Sequence, residues 1–151
     1  MPTVSLTGND TLVIAGLVIS DMADADWFTM TYDNDLAAVK RGKNGNSIYA
    51  ENSMGLVGTA MLRLVRGSND DMTLDSLLQQ QLQDFSAFVL LDGQFTKRVG
   101  DGQGNITPDT GRMDGGVFQR GVDAKSNAEG DTEQSVSIYR MQFANVERAL
   151  F

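Results

Sequence analysis

The chain has 151 residues, 41% of them hydrophobic, which is enough for one domain (residues 1–151) with a real core and excludes a disordered tail. It holds 20 acidic and 12 basic residues, a formal net charge of -8, which argues against a protein that grips nucleic acid through phosphate contacts. With no His and no Cys, disulfides, cysteine nucleophiles, His-based triads and ordinary zinc sites are excluded.

Thr11–Ser20 (TLVIAGLVIS) reads as a buried strand, broken or bulged at Gly16. It is short and no basic region precedes it, so no signal peptide is expected; no segment approaches the roughly 20 apolar residues that span a bilayer. Asp21–Asp26 reads as a turn. Trp27–Tyr32 alternates, with Phe28, Met30 and Tyr32 on one face and Thr29 and Thr31 on the other, and is expected to form a hairpin with the first strand. Asp33–Leu36 holds another turn.

Ala37–Ser53 carries Lys40, Arg41 and Lys43, then Asn44-Gly45, a strong turn signal because both residues tolerate positive φ. The plain reading is a solvated hairpin tip. The sharper one is an extended loop, about 37–53, that reaches a neighbouring copy, since a basic loop on an acidic body docks well on an acidic face.

Leu56–Arg66 is expected to be a long strand, with Leu56, Ala60, Leu62 and Leu64 on one side and Val57, Thr59, Met61, Arg63 and Val65 on the other. Ser68 then opens a helix, with Asp71 completing a variant capping box and acidic groups in the first turn suiting the helix dipole. The helix is expected to run to about Phe85, with Leu74, Leu77, Leu78, Leu82 and Phe85 as its apolar stripe. Burying about four leucines would contribute roughly 1.5–3 kcal/mol each.

Short strands are expected at Phe88–Leu91 and Phe95–Val99, separated by a turn at Asp92-Gly93. Gly100–Gly116, rich in Gly and Asp and holding Pro108, reads as a loop; Val117–Gly121 reads as an edge strand and Asp123–Thr132 as a polar loop. Gln134–Val146 is the last long strand, and the apolar end Val146–Phe151 is expected to dock rather than fray. In Gln134–Val146 neither alternating face is purely apolar: Val136, Ile138, Arg140, Gln142, Ala144 and Val146 face one way, Ser135, Ser137, Tyr139, Met141, Phe143 and Asn145 the other. A monomeric sandwich strand has one clean apolar face, so this pattern points to contact with a neighbouring subunit or a lumen. The simplest architecture is mainly β: an antiparallel sandwich or barrel with one flanking helix.

No catalytic constellation emerges. Asp70-Asp71 is accounted for by helix capping and Asp21/Asp24/Asp26 by a solvated turn. Asp101–Asn105 faintly resembles the start of a calcium loop, but Ile106 stands where Gly is required. Arg41–Ser47 lacks phosphate-loop spacing, and Asn105-Ile106-Thr107 is read as a chance glycosylation pattern. Trp27 reads as core or interface. No cofactor, metal or enzymatic activity is expected.

The chain resembles the tail tube proteins of contractile-tailed bacteriophages, and their relatives in secretion-system and bacteriocin inner tubes. The resemblance runs over nearly the whole chain and rests on Leu12–Val18 with Gly16, on Trp27–Tyr32, on Met54–Val65 feeding the helix Asp70–Phe85, and on Val136–Val146 (VSIYRMQFANV) as a closing strand. It implies hexameric rings stacked into a hollow conduit for genome delivery in a virion tail, assembled in the host cytoplasm. The implied partners are other copies, sheath, baseplate and tape-measure proteins, with phage DNA passing through without specific binding and no membrane insertion. By the same analogy Lys40, Arg41, Lys43 and Asn44 would contact an adjacent ring, and Arg63, Arg66 and Arg140 would face the lumen or pair between subunits. Three alternatives stay open: a single-ring completion, baseplate or terminator protein; a monomeric carbohydrate-binding sandwich using Trp27 or Tyr49; and, least supported, a carboxylate enzyme using Asp21 or Asp24.

Overall fold

The computed structural model describes residues 3–6, 10–23, 26–53, 55–126, 128 and 132–150. Its strands are β1 (Ser5–Leu6), β2 (Thr11–Ile14), β3 (Leu17–Val18), β4 (Phe28–Tyr32), β5 (Ala37–Arg41), β6 (Ser47–Glu51), β7 (Gly58–Val65), β8 (Leu91–Gly100), β9 (Ile106–Phe118), β10 (Asp123–Ala124) and β11 (Val136–Ala149). One helix, α1 (Asn69–Gln83), precedes a 3-10 turn at Phe85–Ala87. The main sheet is antiparallel in the order β3-β2-β8-β9-β11-β7-β4, with β1 added to β8 and β10 to β11; β5 and β6 form a separate hairpin. This is the mainly β architecture with one flanking helix that the sequence implies.

The sheet curls but does not close through hydrogen bonds. Side chains bridge the gap instead: Phe28 of the end strand β4 stacks on Phe95 of β8, third from the other end, at 4.8 Å between ring centres, and Trp27 packs against both. Trp27 therefore belongs to the seam of the core, as expected.

The long strands have a cleaner inward face than their sequence suggests. In β7, Gly58, Ala60, Leu62 and Leu64 are buried, while Thr59, Met61 and Arg63 are half-exposed. In β11 the inward set is Ser137, Tyr139, Met141 and Phe143. The two polar members have found partners: the Tyr139 hydroxyl donates to the Asp71 carbonyl at 2.8 Å and to its carboxylate, and Ser137 Oγ donates to Asp71 at 3.1 Å. Burial and this hydrogen bond both push the Tyr139 hydroxyl well above its usual pKa. Mixed character thus survives only on the outer face, where Arg63 pairs with Ile138, Met61 with Arg140 and Thr59 with Gln142.

Beyond Phe143 the inward phase slips by one residue, so that Val146 is the next buried position. The partner strand slips at the same level, where Met113 and Gly116 are both inward and Gly115 takes φ 65°. Gly116 is needed here: a Cβ would lie 2.3 Å from Cε1 of the fully buried Phe143.

Several local expectations are corrected. Thr11–Ser20 is broken at Gly16, as expected, but fully enough to make two paired strands joined by a tight turn in which Ala15 and Gly16 take φ 51° and 81°. Trp27–Tyr32 pairs with β7 rather than with the first strand, which pairs with β8. Asp92-Gly93 is not a turn but a register irregularity inside β8, and of Phe88–Leu91 only Leu91 is strand. Val117 and Phe118 close β9, whose partner there is β11. The polar stretch after Gly121 contains β10.

The Gly/Asp-rich segment 100–116 is not a loop. Only 101–105 turns; residues 106–116 belong to β9, paired with β8 from Gly100↔Ile106 to Leu91↔Gly116. Two flanking strands override the low β-propensity of this composition. Pro108 is tolerated because β11 pairs with β9 only as far as Thr110, so no neighbour on that side asks for its missing N–H.

Helix α1 begins as the sequence predicts, with Ser68 Oγ accepting from the Asp71 N–H at 3.3 Å. Its apolar stripe is shorter than predicted. Leu74 and Leu78 are buried and Leu77 partly so, but Leu82 and Phe85 are 69% and 63% exposed. The C-terminal end is tied to the sheet by Gln81 instead, which accepts from the Phe118 N–H at 2.8 Å and donates to its carbonyl at 3.0 Å.

Candidate assembly surface

Three exposed regions carry character that a solitary domain does not need. The first is the β5–β6 hairpin, at the place of the expected extended loop. Its register runs from Ala37↔Glu51 to Arg41↔Ser47, and all ten strand residues are exposed. The Asn44-Gly45 signal is realised at its tip, where Gly45 takes φ 82° and its N–H donates to the Gly42 carbonyl at 3.1 Å. The neck is closed by the Asn52 N–H donating to Leu36 O at 2.8 Å. Val39 pairs with Tyr49 and Lys40 with Ile48, and Tyr49 is 77% exposed. Lys40, Arg41, Lys43 and Asn44 all stand in solvent near the tip. A bare two-stranded hairpin is marginal in water, and three exposed apolar side chains on it want a cover.

The second region is the outer face at the start of β11, where the three arginines singled out in the sequence come together beside Gln134 and the segment Val122–Lys125. Arg140 forms an ion pair with Asp123 of β10. Arg66 Nη1 donates to the carbonyls of Lys125 at 3.0 Å and Gln134 at 3.2 Å. Arg63 lines a groove with Val122, Asp123, Lys125, Val136 and Ile138, and its buried Nε has no acceptor among the described residues. Two of the three arginines therefore hold this segment in place. Sequence spacing gave no means of seeing this, because the contacts join residues far apart in the chain.

The third region was missed by sequence reasoning. Leu82, Phe85, Val89 and Leu90 follow one another across the end of α1 and the 3-10 turn, all more than half exposed. The helical spacing of Leu82 and Phe85 suggested core; the buried stripe of α1 stops at Leu78, and Phe85 lies beyond the end of the helix.

The carboxylates fall into structural roles. Asp70 is buried and accepts from the N–H groups of Ser20 at 2.7 Å and Asp21 at 2.9 Å. Asp101 closes the 101–105 turn by accepting from the Asn105 side chain at 2.7 Å and the Gln103 N–H at 2.7 Å, which together hold its carboxyl below the usual range. Asp21 accepts from the Asp70 N–H at 3.4 Å, while Asp24 lies outside the described residues. Among the described residues no group of three or more acidic side chains converges on a metal-sized site. No helix among them is long and apolar enough to cross a membrane.

No protein-family model and no curated sequence matches the chain. Solved structures do. A chain of the anti-feeding prophage cap, the tube-terminating cap, superposes with a TM-score of 0.62 at 8% identity, covering 96% of this chain and 90% of that one. A chain of the sheath–tube complex of an extracellular contractile injection system (PVC) in its extended state gives 0.62 at 10% identity, covering 94% and 88%. A chain of the sheath/tube terminator of that system gives 0.60 at 11% identity, covering 94% of both chains. The chain thus has the fold found in the tubes and tube terminators of contractile injection systems, in line with the tail-tube resemblance of its sequence. At these identities the likeness is one of fold.

Proposed function

We propose that this protein is a non-enzymatic structural subunit of a contractile tail, forming the inner tube from stacked rings of six copies. The observation that carries the reading is the projecting β5–β6 hairpin, whose exposed Val39, Ile48 and Tyr49 have no use in a solitary molecule. Its basic tip, Lys40, Arg41, Lys43 and Asn44, is suited to an acidic face on an adjacent ring. The open sheet supports the reading as well. Ring closure covers strand edges that would otherwise pair without control, and closed rotational symmetry gives the mixed outer face of β7 and β11 a partner. Arg63, half-exposed on the outer face, is the arginine best suited to pair across a subunit boundary, since Arg66 and Arg140 are engaged within the fold.

Sheath, baseplate and tape-measure proteins would be the other partners. The tail would be assembled in the host cytoplasm. Net acidity suits a conduit through which a polyanion passes without being held.

A second reading is a terminator that makes one ring and stops, favoured by the cap and terminator among the similar structures. Electron microscopy of the purified protein at high concentration tests both. Long hollow tubes with stacked rings support the tube subunit; single rings that do not grow support the terminator. A monomer at every concentration, with or without an assembly initiator, would refute both.

A further inference from the structure

The hairpin and the C-terminal end of α1 carry opposite charge and like hydrophobicity on one molecule. Between Gly67 and Thr96 the chain has no Lys or Arg, but it has Asp70, Asp71, Asp75, Asp84 and Asp92. Asp70 and Asp71 are engaged inside the fold, which leaves Asp75, Asp84 and Asp92 exposed along this stretch. Asp84 sits directly between Leu82 and Phe85. The Ser86 hydroxyl and N–H donate to its carboxylate at 2.8 Å and 3.2 Å, holding its carboxyl below the usual range and so charged throughout the neutral range. The hairpin is the reverse: Lys40, Arg41 and Lys43 against Glu51, around Val39, Ile48 and Tyr49.

Within the molecule both surfaces are exposed at once, so neither covers the other. We infer that the β5–β6 hairpin of one copy docks on the Leu82–Leu90 ridge of a neighbouring copy through the face that carries the cross-strand pair Val39 and Tyr49, these two against Leu82, Phe85 and Val89, and the cationic tip against Asp75 and Asp84. The inference rests on the assembly reading and names the receiving surface for it. Apolar burial supplies the driving force, and the surrounding charges set the register and exclude hairpin-on-hairpin or ridge-on-ridge pairing, which would bring like charges together. The contact joins two different patches, so it is heterologous: each copy gives one hairpin and receives another, and the contact closes into a ring or propagates along an axis.

The absence of cysteine makes the test direct. Tyr49→Cys and Val89→Cys are made as separate proteins, mixed, allowed to assemble and treated with a short bifunctional maleimide. The expected result is a cross-linked dimer from the mixture and from neither variant alone, and a ladder of multimers from the double variant. Ile106→Cys, exposed and paired with Gly100 at the far end of β8 from the ridge, replaces Val89→Cys in the control and gives no dimer above background. In a second arm, Lys40→Glu with Arg41→Glu and Lys43→Glu lowers the assembled fraction at least tenfold, and adding Asp75→Lys with Asp84→Lys restores it. Assemblies visible by microscopy with no Tyr49–Val89 cross-link, or with the Ile106 control cross-linking equally well, overturn the docking contact alone. Failure of the wild-type chain to assemble at all overturns the assembly reading and the contact with it.

Discussion

Replacing Asp70 tests how the helix is anchored to the rest of the fold. Its carboxylate is 4% exposed and accepts from two main-chain N–H groups, Ser20 at 2.7 Å and Asp21 at 2.9 Å, in a segment 50 residues earlier in the chain. Hydrogen bonds to a charged acceptor contribute about 1.5–3 kcal/mol each, and a buried donor left without a partner costs its full desolvation. Against this, Asp70→Ala relieves the cost of burying the carboxylate, and water reaches part of the vacated space. The expected net destabilisation is about 3 kcal/mol. Asp70→Asn keeps one acceptor oxygen on nearly the same shape and is expected to cost about 1–2 kcal/mol. The assay is equilibrium urea unfolding followed by far-UV circular dichroism, at protein concentrations low enough to keep the subunit free. With a slope of about 2 kcal/mol per molar urea, Asp70→Ala lowers the midpoint by about 1.5 M and Asp70→Asn by less than 1 M. Equal costs for the two variants, or an alanine cost under about 1 kcal/mol, would refute the reasoning, because the two N–H bonds would then not be what holds the carboxylate.

Three further outcomes are expected. Gly116→Ala, which drives a Cβ to within 2.3 Å of the Phe143 ring, destabilises by at least about 1–3 kcal/mol, read as a lowered thermal midpoint; Phe143→Leu in the same background recovers part of the loss. Deleting residues 41–47 leaves the far-UV spectrum of the subunit near native but shortens or abolishes assemblies, since the hairpin contributes nothing to the core; an unfolded deletion variant would contradict this. The Arg148 guanidinium, donating to Asp109 at 2.8 Å and 2.9 Å, holds the Asp109 carboxyl below its ordinary 3.8. A depressed folded-state pKa means that this contribution is complete above the unfolded pKa and is lost as pH falls through the folded one. Arg148→Ala should therefore be less stable than wild type near pH 7 and indistinguishable from it in strong acid; a difference that persists at pH 2 would point to packing rather than charge.

What could be read from the sequence is what neighbours along the chain decide. Ser68 ahead of Asp71 marks a helix start because the cap is closed within three residues, and Asn44-Gly45 marks a hairpin tip because the turn needs only its own φ angles. The alternation of β7 and β11 was legible for the same reason, as were the class of fold and the tail-tube likeness. Which face turned inward was not, because Ser137 and Tyr139 look polar until Asp71 arrives from α1 to satisfy them. Residues 106–116 look like a loop until β8 and β11 lie on either side, and long-range pairing then outweighs local propensity. The arginine cluster, hidden in the same way, gathers only when β7, β10 and β11 come together. The apolar ridge is the opposite case. Leu82 and Phe85 keep the helical spacing of a buried stripe, and a pattern along one helix cannot record that the helix stops at Gln83 with nothing packed over these side chains. By itself, then, the sequence determined the start of the helix, the turn at Asn44-Gly45, the alternation of the long strands, the acidic character and the lack of His and Cys chemistry. The tertiary structure alone decided which apolar residues became core and which were left outside, because burial depends on what lies across the gap, and that is set by contacts between residues far apart in the chain.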